Sequence, residues 1–202
     1  MISFALTTHN EGRCVYHILE QILGFMNEDD EVVVLDDYSD DQETIDALDY
    51  FGCQVHSRKF DGDFAAHKNY LNSLCSKDWI FQIDADEMLS SGLESRLHNL
   101  LEMNQDTELI FVPRVNTVEG LTQEDIVNFK WQVNEHGWVM WPDFQGRIYR
   151  NRHQIYWQGK VHERIVGMKS WSFLPQEEDW AILHAKDIER QRKQNALYAT
   201  IA

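Results

Sequence analysis

Two hydrophobic periodicities alternate along the first hundred residues, and this alternation narrows the possible folds more than any other feature. ISFAL (2–6), EVVVL (31–35), CQVHS (53–57) and WIFQI (79–83) are short, rich in β-branched and aromatic residues and bounded by polar ones, as strands are. Between them Val15, Ile18, Leu19, Ile22 and Leu23 recur at helical spacing, as do Leu93, Leu97, Leu100 and Leu101. Segments 41–51 and 64–75 (FAAHKNYLNSLC) predict two more helices, and ELIFVPR (108–114) a further strand. The alternation predicts βαβ units, hence an α/β fold with a mostly parallel central sheet flanked by helices.

After about residue 115 the texture changes, with six of the seven tryptophans (131, 138, 141, 157, 171, 180) in this rear part. RIYR (147–150), QIYWQG (154–159) and DWAILH (179–184) predict short strands, and DIERQRKQNALYA (187–199) a polar helix. No repeat, low-complexity segment or linker interrupts the chain. A length of 202 residues suits one domain with its own core, 1–202, with a front half at 1–114 and a rear half at 115–202.

Charge excludes several classes of partner. With 18 Lys+Arg against 34 Asp+Glu the formal net charge is −16, a surface that repels nucleic acid and anionic membrane. An anionic ligand therefore needs a metal ion or a local basic patch. No apolar run approaches the roughly 18–20 residues of a membrane span, and MISFALTTHNEGR lacks the features of a signal peptide. Cys14, Cys53 and Cys75 are widely spaced with no CxxC pair, which predicts buried free thiols in a reducing cytoplasm.

Ligands of open parallel sheets bind beyond the carboxyl ends of the strands. The first strand runs into Thr7-Thr8-His9-Asn10-Glu11, the second into Asp36-Asp37-Tyr38-Ser39, and WIFQI into Asp84-Ala85-Asp86-Glu87. Any one of these is ordinary turn and cap chemistry; three at one edge point to a site. In extended geometry Asp84 and Asp86 share a face, and two carboxylates together suit a hard divalent cation, Mg²⁺ or Mn²⁺, with positions left for phosphate oxygens.

ISFALTTHNEG, EVVVLDDYSDD, AHKNYLNSL and DWIFQIDADEML together resemble the nucleotide-sugar-dependent glycosyltransferases of the GT-A fold, and within them family 2, the inverting transferases. The DADE form and WPDFQGRIYRNRHQIYWQGKVHERIVG, with a distal His, are similar to the branch that includes lipopolysaccharide-core transferases. The resemblance implies a nucleotide-sugar donor, a UDP-sugar, and a carbohydrate or glycolipid acceptor. It implies that Thr7, His9 and Glu11 line the base and ribose pocket, that Asp37 contacts the base, and that Lys68, with Asn69 after it, lies near the nucleotide. His9 stands where the family often has Tyr. Asp84 is implied to touch the ribose or the metal shell, and Asp86 to ligate the metal that bridges the diphosphate.

Glycosyl transfer also needs a base for the acceptor hydroxyl. Glu163, in KVHERI with His162 beside it, matches the family's H-E position; the other reading is an exposed, salt-bridging Glu. His184 reads either as a structural residue or, by the resemblance, as a late ligand completing the metal shell. Asp143 and Glu135 are the next candidates for the base. Arg147 and Arg150 are candidates to face the diphosphate. Trp141, Tyr156 and Trp157 are candidates to stack on sugar rings, while core packing is the expectation for most of the rear tryptophans. Two rival readings remain, a non-catalytic carbohydrate-binding module on the same fold and a nucleotidyltransferase. The single Gly of THNEGR argues against the latter, and no HExxH, P-loop or G-x-S-x-G occurs.

Overall fold

A computed structural model describes residues 1–201. The front half runs β1 (Ile2–Thr8), α1 (Arg13–Phe25), β2 (Glu31–Asp36), α2 (Gln42–Phe51), β3 (Gln54–Ser57), α3 (Phe64–Leu74), β4 (Trp79–Asp84), β5 (Glu87–Leu89) and α4 (Ser91–Met103). Then follow β6 (Leu109–Val112), β7 (Arg114–Glu119), α5 (Gln123–Phe129), β8 (Gln145–Arg150), β9 (Tyr156–Gln158) and β10 (Arg164–Val166). The chain closes with β11 (Trp171–Phe173), a 3₁₀ turn at Glu178–Trp180, β12 (Ile182–Asp187) and α6 (Ile188–Ile201).

The main sheet has seven strands in the order β11-β6-β8-β4-β1-β2-β3. Strands β4, β1, β2 and β3 are parallel, with Thr7 beside both Leu35 and Asp84. β8 enters antiparallel between β4 and β6. The central strands β1, β2 and β4 are buried almost throughout, as a sheet covered on both faces requires, and successive side chains pack to opposite sides. Phe4, Leu6, Val32, Val34, Phe81 and Ile83 pack under α1 and α4, whose inner residues include Ile18, Ile22, Leu93 and Leu97. Ala5, Val33, Leu35 and Ile80 face the other way, onto Leu71 of α3, Tyr149 and Trp157. The caps are local: Asp41, Asp63 and Ser90 each accept a hydrogen bond from a backbone N–H in the first turn of α2, α3 and α4.

The structure corrects several expectations. ELIFVPR is not one strand: Pro113, with no N–H to donate, ends β6, and Arg114 begins β7 in a second sheet of order β5-β12-β7. The first residues of DWAILH form the 3₁₀ turn, so the strand starts at Ile182. β5, β10, β11 and α5 have no counterpart among the expected elements, being only 3, 3, 3 and 7 residues long. Nor are most rear tryptophans core. Trp157 is buried, whereas Trp131, Trp138, Trp141 and Trp180 are half-buried and Trp171 is 58% exposed. Trp131, Trp138, Trp141 and Trp180 lie outside the strands, and a side chain this large is rarely fully enclosed. Of the thiols only Cys75 is buried; Cys14 is exposed on α1 and Cys53 is intermediate.

β9 and β10 form a hairpin, Gln158 opposite Arg164, whose loop carries Glu163. Gly159 at φ 106° and His162 at φ 55° turn that loop, and Gly167 at φ 86° ends the hairpin against Gln154. A Cβ on Gly167 would fall on the Gln154 carbonyl oxygen, a backbone atom that has no rotamer to retreat to. Gly167→Ala should therefore destabilise the fold by about 1–3 kcal/mol or more from backbone strain. Urea denaturation checks this; an unchanged midpoint contradicts the assignment.

Candidate functional site

A cleft of about 720 Å³ opens at the carboxyl ends of β4, β1 and β2. The strand order reverses between β1 and β4, which is where open α/β sheets bind ligands. Thr7, His9 and Glu11 reach it from β1, Asp37 from β2, and Asp84 and Asp86 from β4. The second sheet brings Arg114, Asn116, His184 and Lys186 to the opposite wall, and α6 brings Arg190.

Glu87 fixes the floor. Its side chain is fully buried, and its Oε1 accepts from Arg147 Nη2 at 2.6 Å and Arg114 Nη1 at 3.0 Å. Its Oε2 accepts from the Asp84 backbone N–H at 3.1 Å, closing the turn between β4 and β5. Arg147, 3% exposed, also donates to Asp84 Oδ2 at 2.8 Å. Burial alone would push the Asp84 carboxyl up, but Arg147 and Lys68 outweigh it and hold the group well below 3.8. Extended geometry stops at Asp84, and Ala85 and Asp86 form a turn. Asp84 and Asp86 therefore do not share a strand face as the extended D-x-D reading expects, and they take different partners.

Asp86 meets His184, with Oδ2 3.3 Å from Nε2. The ring's orientation follows from its neighbours. Asn116 donates through Nδ2 to Asp143 at 2.7 Å, so its Oδ1 is an acceptor for His184 Nδ1 at 2.8 Å. Asn116 thus keeps a proton on Nδ1 and leaves Nε2 facing Asp86: protonated, Nε2 donates to the carboxylate, and deprotonated it presents the lone pair that ligates a metal. A carboxylate oxygen and Nε2 at this range hold a proton or a cation between them. Asp143 is itself held by Arg114 Nε and Nη2, at 2.9 and 2.7 Å, and by Gln145 at 2.8 Å.

Among the described residues no cluster of three or more His, Cys, Asp or Glu side chains forms a metal cage. One carboxylate and one imidazole nevertheless fit a hard cation that fills its remaining positions with water and phosphate oxygens. The fit is to an open site and not to a closed structural one. Arg190 Nη2 now lies 3.1 Å from Asp86 Oδ2, and it also bonds Glu11. Burial pushes the Asp86 carboxyl up, but His184 and Arg190 override it and the net shift is downward. Burial also raises Glu11, despite Arg190.

Glu163 is not an exposed residue. Its side chain is 14% exposed, and its Oε1 accepts from Lys68 Nζ at 2.8 Å. Lys68 lies 3.9 Å from Asp84 Oδ1 and 4.6 Å from the centre of the Trp157 ring, so it joins the carboxylate edge to the β9–β10 hairpin. At the far end His9 Nδ1 bonds the Asp37 carbonyl at 2.8 Å, and Asp37 Oδ1 accepts from the Phe60 N–H at 2.7 Å.

Four expectations fail here. Arg150 is not in the cleft: three residues along a strand from Arg147, it faces the other way, stacks on Trp79 and bonds Gln105 and Thr107. Asn69 does not turn to the cleft, because its amide pairs both ways with the Trp157 backbone at 2.8 Å and fastens α3 to β9. Trp141 packs on Trp138 and Tyr156 is 43% exposed, and neither lines the cleft, where Trp131 and Trp157 do. Glu135 pairs with His136 on the surface and lies outside the lining. Sequence reasoning passed over Glu87, Arg114, Asn116, Lys186 and Arg190. The E of DADE was the one readable signal among them, an acid entering an apolar E-M-L run.

The sequence profile of Glycosyl transferase family 2 matches residues 3–173. The chain belongs to glycosyl transferase family 2. An uncharacterized glycosyltransferase of Rickettsia typhi is 32% identical to this family 2 chain over 215 residues, covering 95% of it and 68% of the relative. Another, of Rickettsia felis, is 27% identical over 216 residues, covering 95% and 71%. Among solved structures, S. aureus TarS 1-349 in complex with UDP-GlcNAc has a TM-score of 0.63 at 15% identity, covering 92% of this chain and 58% of that one. The chain thus spans somewhat over half of that TarS fragment, and the likeness is one of fold. The architecture is the GT-A one, an α/β fold with a mostly parallel sheet flanked by helices, and the chain is a glycosyltransferase.

The buried ion network generates a stability prediction. Arg147→Met leaves Glu87 and Asp84 without their shared cation and should cost about 3–5 kcal/mol. In the wild type the depressed Asp84 and Asp86 contribute stability above the ordinary value of 3.8, and that contribution is lost as pH falls through their lowered pKa values. Denaturation at several pH values checks both. The variant's deficit should persist at neutral pH and shrink in strong acid; a pH-independent difference contradicts the network.

Proposed function

We propose that the cleft transfers a sugar from a nucleoside-diphosphate sugar, a UDP-sugar, to a hydroxyl of a carbohydrate or glycolipid acceptor, with inversion at the anomeric carbon and with Mn²⁺ or Mg²⁺ bound. One observation carries this reading. In a chain of net charge −16, five cations (Lys68, Arg114, Arg147, Lys186 and Arg190) converge on the cleft that also holds Asp84, Asp86 and Glu163. That is the composition a metal–diphosphate needs, and the UDP-GlcNAc bound by TarS on the same fold supports it.

In this reading Thr7, His9 and Glu11 form the base and ribose pocket, Asp37 contacts the base and Asp84 the ribose edge. Asp86 and His184 hold the cation, which when bound supplies positive charge for the departing diphosphate. Lys68 stands between Glu163 and Asp84, so a diphosphate arriving beside Asp84 competes with Glu163 for it. Glu163 then accepts the proton of the acceptor hydroxyl, whose oxygen attacks the anomeric carbon on the face opposite the leaving group. Residues 1–114 carry most donor contacts, and 115–202 supply the base, the imidazole and the acceptor wall. The likeness of DADE and KVHERI to the lipopolysaccharide-core branch supports a bacterial saccharide acceptor. Three unpaired thiols support a cytoplasmic site of action. Among the described residues no helix is long and apolar enough to cross a membrane.

Glu163→Gln keeps size and hydrogen bonding and removes basicity. With a donor chosen by screening UDP-sugars for Mn²⁺-dependent hydrolysis, transfer should fall about a hundred- to ten-thousandfold. UDP affinity by calorimetry should stay nearly unchanged, the mark of an interaction made in the transition state. A folded variant that transfers at the wild-type rate removes Glu163 from the mechanism.

A further inference from the structure

Arg190 is tied to two loops far from it in sequence. It lies in the first turn of α6, where its N–H donates to Asp187 Oδ1 at 2.8 Å. Its Nη2 contacts both oxygens of Glu11, at 2.7 and 2.6 Å, and Asp86 Oδ2 at 3.1 Å. That Asp86 oxygen is the one facing His184 Nε2 at 3.3 Å. A single oxygen thus has two claims on it. A hard cation held by Asp86 and His184 binds oxygen at about 2.0–2.1 Å, inside the space that Arg190 closes, and the two positive charges repel in a partly desolvated cleft. Arg190 cannot keep its contact with Asp86 once such a cation is there.

The Arg190 side chain is 40% exposed, which leaves it room to swing towards the cleft. Among anions, a diphosphate matches its planar fork best. We propose that Arg190 is the resident counter-ion of the donor-free site and becomes a diphosphate ligand when metal and nucleotide bind together, exchanging Glu11 and Asp86 for phosphate oxygens. This rests on the nucleotide-sugar reading and adds a donor-binding residue to it. Two consequences follow. A bare divalent cation binds weakly, because it evicts Arg190 and gives it no new partner. A nucleoside diphosphate supplies that partner, so metal and nucleotide favour each other's binding through Arg190. The swing also frees the Glu11 carboxylate to accept from donor hydroxyls.

The test measures binding without turnover. Free Mn²⁺ is followed by electron paramagnetic resonance during titration of the protein alone, and UDP is titrated calorimetrically at saturating Mn²⁺, for wild type and Arg190→Gln. The variant should bind bare Mn²⁺ more tightly, by several-fold or more, and UDP with Mn²⁺ about ten- to a hundredfold more weakly, as loss of a charged hydrogen bond predicts. Bare-Mn²⁺ affinity that is unchanged or weaker, or UDP affinity that is retained, overturns the proposal while leaving the nucleotide-sugar reading intact. If wild type binds no UDP with Mn²⁺, both fall. Arg190→Lys, which keeps the charge without the fork, covers the case in which Arg190→Gln does not fold. It should retain weak bare-Mn²⁺ binding and lose UDP affinity several-fold; unchanged UDP affinity in it also overturns the proposal.

Discussion

One fully buried carboxylate organises this molecule. Glu87 takes Arg147 from β8, Arg114 from β7 and the backbone of Asp84 from β4, so three strands of two sheets meet on a single side chain. Its burial is costly unless every partner is present, and this requirement holds the second sheet against the first. Since β12 lies between β5 and β7, the same contact sets His184 beside Asp86 and Asn116 beside His184. The juxtaposition of Asp86 and His184 thus follows from Glu87, which adjoins Asp86 in sequence and lies opposite His184 in the β5–β12 register.

The proposed diphosphate site reconciles an anionic ligand with so acidic a chain. The acidic excess lies largely outside it, while within it each acid has a cationic or hydrogen-bonding partner: Asp84 with Arg147, Asp143 with Arg114, Glu163 with Lys68, and Glu11 and Asp86 with Arg190. These pairs are half-built interactions. Arg147, Lys68 and Arg114 are already largely desolvated and held in place, so a diphosphate that competes for them meets preorganised charge and little solvent to displace.

The front half was legible because its signals are local. Continuous apolar runs in ISFAL and EVVVL, helical spacing in α1 and α4, and polar residues at strand ends all lie within a few residues of one another. The site residues at those strand ends, Thr7, His9, Glu11, Asp37, Asp84 and Asp86, line the cleft as their positions imply. The rear half was less legible for a physical reason. Its strands are as short as three residues, so periodicity has no length in which to appear, and its side chains find partners far away in sequence. Arg190 bonds Glu11 across 179 residues and Asn69 bonds Trp157 across 88. The short α5 left a signal that went unread, the capping box of Thr122 and Asp125. Arg150 shows the opposite failure: a correct strand with one residue assigned to the wrong face.

The central claim is that Asp86 and His184 form the open cation site of a diphosphate-binding cleft. Crystals grown with UDP and Mn²⁺, with diffraction data collected at a wavelength where manganese scatters anomalously, test this directly. The account predicts a manganese peak bridging Asp86, His184 and the UDP phosphates, with the uracil near Asp37. Nucleotide bound in the cleft with no manganese at Asp86 and His184, or manganese bound only elsewhere, would contradict it.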